Sequence, residues 1–160
     1  MKEVLPYGGG GVMVWGGISA EQKTDLVLMH GKFNGLRYRD EILEPHVLPR
    51  MKDDSKNLLY FQEDNATPHK NALCQTFLRQ NGVPVLPWPA RSPDLSPIEH
   101  IWDVLGRRVT ARTPRTVQEL GVFFIEEWGM IQTSEVKKYI RSMKNRVDCV
   151  ISARGGHTKY

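Results

Sequence analysis

Apolar and polar positions change rhythm twice along this chain. Val12 to Ile18 is a β-branched and aromatic run that opens directly from four glycines, Gly8 to Gly11. Glycines there free the backbone where a strand begins. A polar link, Ser19 to Asp25, leads to a second run, Leu26 to His30, and the pair predicts a hairpin. Leu36, Ile42, Leu43 and Val47 then recur at helical spacing behind Asn34, a capping residue, while Pro45 and Pro49 predict strain or an end. Asn57 to Gln62 is mostly apolar and predicts a strand buried on both faces. Thr67 and Pro68 predict a cap and a first helical residue, with the helix running through Leu73, Phe77 and Leu78 to a stop at Gln80-Asn81-Gly82. A short strand, Val83 to Trp88, enters a proline-punctuated loop that ends at Pro97. Helical patterns over about 97–111, 116–131 and 133–151 complete the chain. Early strands, late helices and a β-α alternation between them predict an α/β domain, with no repeat, low-complexity segment or evident linker.

Composition narrows the class. The 160 residues suffice to bury a core, and 25% charged with 40% hydrophobic residues is a globular balance. A formal charge of +4 leans towards an anionic partner. Cys74 and Cys149 both fall in helical patterns and form no metal-ligand pair, which predicts reduced thiols at or near a core. No apolar run approaches the ~18 residues of a membrane span, and no signal-peptide pattern opens the chain, so the expected compartment is intracellular. The glycine run is no phosphate-binding loop, because GxxxxGK[ST] is absent and a strand follows it.

Two acidic positions carry candidate chemistry. Asp64 leaves the predicted buried strand in "YFQEDNATPH", and Glu99 opens a helix in "SPDLSPIEHIWDVLGRRV". The 34 residues between them hold one helix, one strand and a stiff loop. Carboxylates so placed can share divalent ions; magnesium needs only one or two protein carboxylates and fills its other positions with water and phosphate oxygens. Two such ions about 4 Å apart activate a water or 3′-hydroxyl and stabilise a leaving oxygen in phosphodiester chemistry. Each acid also has a plainer use. Asp64 could simply begin a surface turn, and Ser96, Pro97 and Glu99 fit a capping box in which the glutamate reaches back to the serine amide. Asp94 suits an Asx turn between prolines, and His69 and His100 read as surface groups of first helical turns. Trp88 and Trp102 read as core residues in preference to base-stacking platforms.

The flanking words resemble the catalytic domain of Tc-one/mariner-type transposases, in the DDE superfamily of endonucleases. "GGGGVMVWGGIS", "YFQEDNATPH", "WPARSPDLSPIEHIWDVLGRRV" and "MKNRVDCVISARGGHTKY" match that pattern in order, over essentially the whole chain. The resemblance implies a ribonuclease-H-like fold, incomplete at the N-terminus and helical towards the C-terminus. It implies Mg2+- or Mn2+-dependent DNA cleavage and strand transfer, with transposon ends and target DNA as partners, a homodimer in the full-length form, and a nuclear location. Asp64 matches the second catalytic aspartate and Glu99 the third acid, both as metal ligands.

One part of the pattern is not matched. The family's first aspartate lies on a strand ahead of the glycine run, and neither Asp25 nor Asp40 corresponds to it. Nor is there a match to the amino-terminal paired helix-turn-helix. The expectation is therefore a single partial endonuclease domain over 1–160, without cleavage activity of its own and with unpaired sheet edges beside the absent strand. Arg107, Arg108, Arg112 and Arg115, then Arg141, Lys144, Arg146, Arg154, His157 and Lys159, form either a solvated surface or a phosphate-contacting one. A remnant that only binds nucleic acid non-specifically, or serves as an interaction module, is the alternative function.

Overall fold

The computed structural model describes residues 2–4, 11–53, 60–90, 92–156 and 158, with 2–4 as backbone only. In chain order the elements are β1 (Lys2–Val4), β2 (Val12–Trp15), β3 (Val27–Met29), α1 (Gly35–Tyr38), a π-helical segment (Arg39–Val47), α2 (Leu48–Met51), α3 (Ala72–Gln80), a 3-10 turn (Pro93–Leu95), α4 (Pro97–Ala111), α5 (Val117–Met130), α6 (Thr133–Arg141) and α7 (Met143–Ser152). Residues 8–10 of the glycine run, 57–59 of the predicted third strand, His157 and Lys159 lie outside the described residues. The chain divides into two units, Met1–His30 with Ser92–Tyr160, and Gly31–Arg91.

In the first unit β2 and β3 form the expected antiparallel hairpin, pairing Met13 with Met29 and Trp15 with Val27. Its turn is tied by the Ile18–Lys23 bridge. The far edge of β2 was expected to be unpaired, and here the structure differs: β1 lies along it, with Lys2 opposite Val14 and Val4 opposite Val12. An exposed strand edge offers a row of free N–H and C=O groups, so a short extended segment gains ladder bonds by lying there. Val12 and Val14 point into a core built with Ile101, Trp102, Leu105 and Val109 of α4, Leu120, Phe124 and Trp128 of α5, and Val136 of α6. Trp102 stacks on Trp128 with ring centroids 5.2 Å apart, so Trp102 is core, as its helical spacing predicts. Gly16 is what lets the strand pass this pair. A Cβ there would lie 2.9 Å from the Trp128 ring and 3.2 Å from that of Trp102.

The hairpin turn also closes α5. Lys23 Nζ donates to the carbonyls of Trp128, Gly129 (3.0 Å) and Ile131 (2.7 Å), and Trp128 Nε1 donates to Thr24 O at 2.7 Å. A cation on the last carbonyls of a helix satisfies groups that have no partner within the helix and complements its dipole. The pattern expected over 133–151 is two helices, α6 and α7, broken at Ser142. Its hydroxyl donates to Tyr139 O at 2.6 Å, turning the chain between them.

In the second unit Asn34 caps α1 as expected, accepting from Arg37 N at 3.1 Å. The helix does not stop at Pro45 but continues as a π-helix to Val47, with Leu48 N–H bonding Leu43 O. Proline cannot donate and its ring crowds the carbonyl four residues back; bonds spaced five apart give that ring room. Tyr38, Ile42, Leu43 and Val47 are buried, as are Cys74 and Leu78 of α3, whereas Leu73 is exposed. α3 begins later than predicted. Asn71, not Thr67, caps it by accepting from Leu73 N at 3.0 Å, and 67–70 form a separate turn. Its end is as read: Gly82 at φ +68 follows Asn81, and Val83 N returns to Leu78 O at 3.0 Å. Of the two strands expected around α3, the described part is one parallel bridge, Phe61 to Val85. Phe61 N donates to Pro84 O and Leu86 N to Phe61 O, each at 2.8 Å. Parallel pairing across a helix is the crossover step that an α/β fold requires.

Candidate metal-binding carboxylates

Asp64 follows that bridge by three residues and belongs to the second unit; Glu99 lies in the first turn of α4 and belongs to the first. Around Asp64 the polar groups interlock. Its Oδ1 accepts from Ala66 N at 3.0 Å and lies 2.6 Å from His69 Nδ1, which is also 3.2 Å from Asp64 O. His69 was expected at the surface, yet it is 3% exposed. The proline turn 67–70 folds it back beneath Asp64, with its ring 4.5 Å from that of Tyr38. The His69 hydrogen bond holds the Asp64 carboxyl down at about 2 against partial burial, so it is ionised throughout the neutral range. Oδ2 makes no hydrogen bond among the described residues, and half of the side chain faces solvent.

The preceding acid has a different task. Glu63 accepts from Tyr38 Oη at 2.7 Å and from Gln75 Nε2 at 3.1 Å, and Gln75 Nε2 also donates to His69 O at 2.8 Å. Burial pushes the Glu63 carboxyl up, opposed by these bonds, and burial beside Glu63 raises the Tyr38 phenol well above its usual range. Asn65 Nδ2 donates to Trp88 O at 3.2 Å. Glu63 and Asn65 thus brace the segment on both sides of Asp64. Sequence reading missed Tyr38, Glu63 and Gln75 because side chains far apart in the chain leave no local pattern.

Glu99 is less constrained. Ser96 occupies the N-cap position with φ −99 and ψ 106, but its side chain makes no cap bond. The Ser96 amide donates instead to Pro93 O at 2.9 Å, within the 3-10 turn. The expected capping box is therefore not formed, because that turn has already taken the amide Glu99 would have reached. Among the described residues the Glu99 carboxylate has neither a hydrogen bond nor an ion pair. Asp94, at the centre of the turn, accepts from Thr158 Oγ1 at 3.1 Å. His100, expected at the surface, is partly buried against Tyr139, with ring centroids 5.2 Å apart. Burial, then the Arg146 charge, holds its imidazole below the usual range.

The basic positions separate into two kinds. Arg107 and Lys144 are 73% and 86% exposed, in loose i,i+4 pairs with Asp103 and Asp148, and Arg141 is exposed as well. Arg108 lies 3.5 Å from Glu135, and Arg112 is held by Glu126 (2.6 Å), Glu127 (3.2 Å) and the face of Phe123. Arg146 departs from the surface reading altogether: it is 1% exposed. Its place between Met143 and Val150, on the inward stripe of α7, was the readable signal.

Among the described residues no group of three or more His, Cys, Asp or Glu is gathered to hold a metal ion. The donors present nevertheless suit a hard cation: an ionised carboxylate oriented by a buried histidine, and a second carboxylate, with Asp64 Oδ2 and Glu99 both without a hydrogen-bond partner among the described residues. No described helix is long and apolar enough to cross a membrane.

A family model described as "DDE superfamily endonuclease" matches residues 9–121. The chain is 34% identical over 156 residues to the transposable element Tc3 transposase of Caenorhabditis elegans, covering 96% of this chain and 47% of that protein. It is also 34% identical to the Tcb1 transposase of Caenorhabditis briggsae, covering 98% of this chain and 57% of that one. The chain thus spans about half the length of these curated relatives. Among solved structures, the catalytic domain of the Mos1 mariner transposase superposes with a TM-score of 0.84 at 18% identity, covering 99% of this chain and 81% of that chain. The same domain with raltegravir and magnesium gives 0.82 at 20% identity, covering 99% and 82%. The fold is accordingly the ribonuclease-H-like one, and the chain belongs to the DDE superfamily of endonucleases.

Proposed function

We propose that the 160 residues are part of an endonuclease domain for DNA transposition, which in its full-length form cleaves and joins strands with Asp64 and Glu99 as ligands of Mg2+ or Mn2+. The observation that carries this reading is Asp64, a carboxylate held ionised by a buried histidine just past the Phe61–Val85 bridge, with one oxygen that makes no hydrogen bond among the described residues. Glu99, without a partner among the described residues, supports it, as do the transposase relatives, the Mos1 catalytic domain solved with magnesium and with manganese, and the Mos1 strand transfer complex. Bound divalent ions would supply an activated water or 3′-hydroxyl and stabilise the leaving oxygen. The chain's own part is orientation: His69 and Ala66 fix Oδ1 of Asp64, and the first turn of α4 presents Glu99. Exposed Arg107, Arg141 and Lys144, with Arg108 and Arg112 behind them, would contact phosphates without reading bases. A homodimer working on transposon ends in the nucleus completes the proposal.

The family pattern has three acids, of which this sequence matches two. With an aspartate-bearing strand of the family type joined ahead of residue 1, the protein is expected to nick supercoiled plasmid in Mg2+ or Mn2+. Asp64→Asn or Glu99→Gln in that protein should abolish nicking. Nicking that survives both substitutions would overturn the assignment.

A further inference from the structure

We propose that Arg146 is a positioning residue for Glu99, clamping the start of α4 from α7; the step from clamp to metal rests on the reading of Glu99 as a ligand. The guanidinium is almost fully buried, and a buried cation persists only where its donors are satisfied. Two of its bonds reach one short stretch, and a third goes to its own helix start. Nη1 donates to Asp94 O at 2.7 Å, Nη2 donates to His100 Nδ1 at 3.2 Å, and Nε donates to Ser142 Oγ at 2.8 Å. Arginine has no acceptor, so His100 Nδ1 must accept, which fixes the neutral Nε2–H tautomer.

Asp94 and His100 bracket Glu99, five residues before it and one after. One planar group therefore fixes both sides of the turn that aims the carboxylate. Thr158 Oγ1 adds a second tie from the C-terminal segment, to Asp94 Oδ2. The side chain that would ordinarily fix a first helical turn is the N-cap, and Ser96 makes no cap bond. Arg146 supplies from another helix the restraint that the local sequence does not. The third anchor, Ser142, sits at the α6–α7 junction and donates on to Tyr139 O, so the clamp is seated where the last two helices meet.

The test uses the full chain with Arg146→Lys, which keeps the charge but not the planar fork, and Ser142→Ala, which leaves the buried charge in place. Amide hydrogen exchange over 95–101 is compared with that of α5, and Mn2+ binding is measured by calorimetry in the wild-type and Glu99→Gln backgrounds. The clamp predicts faster exchange over 95–101 with α5 unchanged in Arg146→Lys, and a smaller effect of the same pattern in Ser142→Ala. It also predicts a loss of Mn2+ affinity of about tenfold or more in Arg146→Lys. That loss should vanish in the Glu99→Gln background, because the residue acts through Glu99. Unchanged exchange over 95–101, or acceleration shared equally by α5, would overturn the clamp. An equal loss of affinity with and without Glu99 would show that Arg146 does not act through it. Should the wild-type chain bind no Mn2+, the ligand reading of Glu99 fails, and the exchange comparison alone decides the clamp.

Discussion

Asp64 and Glu99 differ in how the chain treats them, and the difference can be measured. Glu99 has no cap bond to lose, so Glu99→Gln should change stability by less than about 1 kcal/mol while weakening Mn2+ binding. Chemical denaturation and Mn2+ calorimetry on one preparation check both halves. Asp64 carries a stability contribution as well, since its folded carboxyl sits at about 2 and an unfolded aspartate near 3.9. A depressed carboxyl stabilises above the unfolded value, and the contribution is lost as pH falls through the folded one. The stability gap between wild type and Asp64→Asn should therefore be full at pH 6 and clearly narrower at pH 3, read by urea titration; a gap independent of pH would deny the His69 pairing. At this scale the sequence located both acids through their flanking words. The partners of Asp64 were hidden, since His69, Tyr38, Glu63 and Gln75 meet only through folding.

At the scale of elements, spacing and caps placed most of the helices. Asn34, the stop at Gly82 and the extents of α4 and α5 follow from side chains that act within a turn of themselves. The departures arise where a distant group competes. The start of α3 is displaced because Asp64 and Gln75 hold the 64–70 segment out of the helix. The proline-bearing helix survives by widening to five-residue spacing. The pairing of β1 with β2 had no signal in three residues. Gly16 shows how tightly hairpin and helices fit. Gly16→Ala puts a methyl against two stacked indoles that cannot step aside, and should cost about 1–3 kcal/mol in a denaturation midpoint with an unchanged slope.

For the molecule as a whole, charge and metal decide the account. DNA binding should be salt-sensitive and almost indifferent to sequence, since the candidate contacts are phosphate contacts. Arg107→Ala or Lys144→Ala should each weaken binding uniformly and reduce the salt slope by about one. Arg112→Ala should do less, its guanidinium being occupied by Glu126, Glu127 and Phe123. Fluorescence anisotropy with two unrelated duplexes across a salt series separates these outcomes. The central claim is the proposal that Asp64 and Glu99 are each ligands of divalent metal. The most direct measurement is iron-directed cleavage of the chain itself. Fe2+ is loaded in place of Mg2+, radicals are generated with ascorbate and peroxide, and the cut sites are mapped by mass spectrometry. The account predicts cuts near residue 64 that are lost in Asp64→Asn and cuts near residue 99 that are lost in Glu99→Gln. Cuts confined to one of the two segments, or cuts near either acid that persist when that acid is replaced, would contradict it.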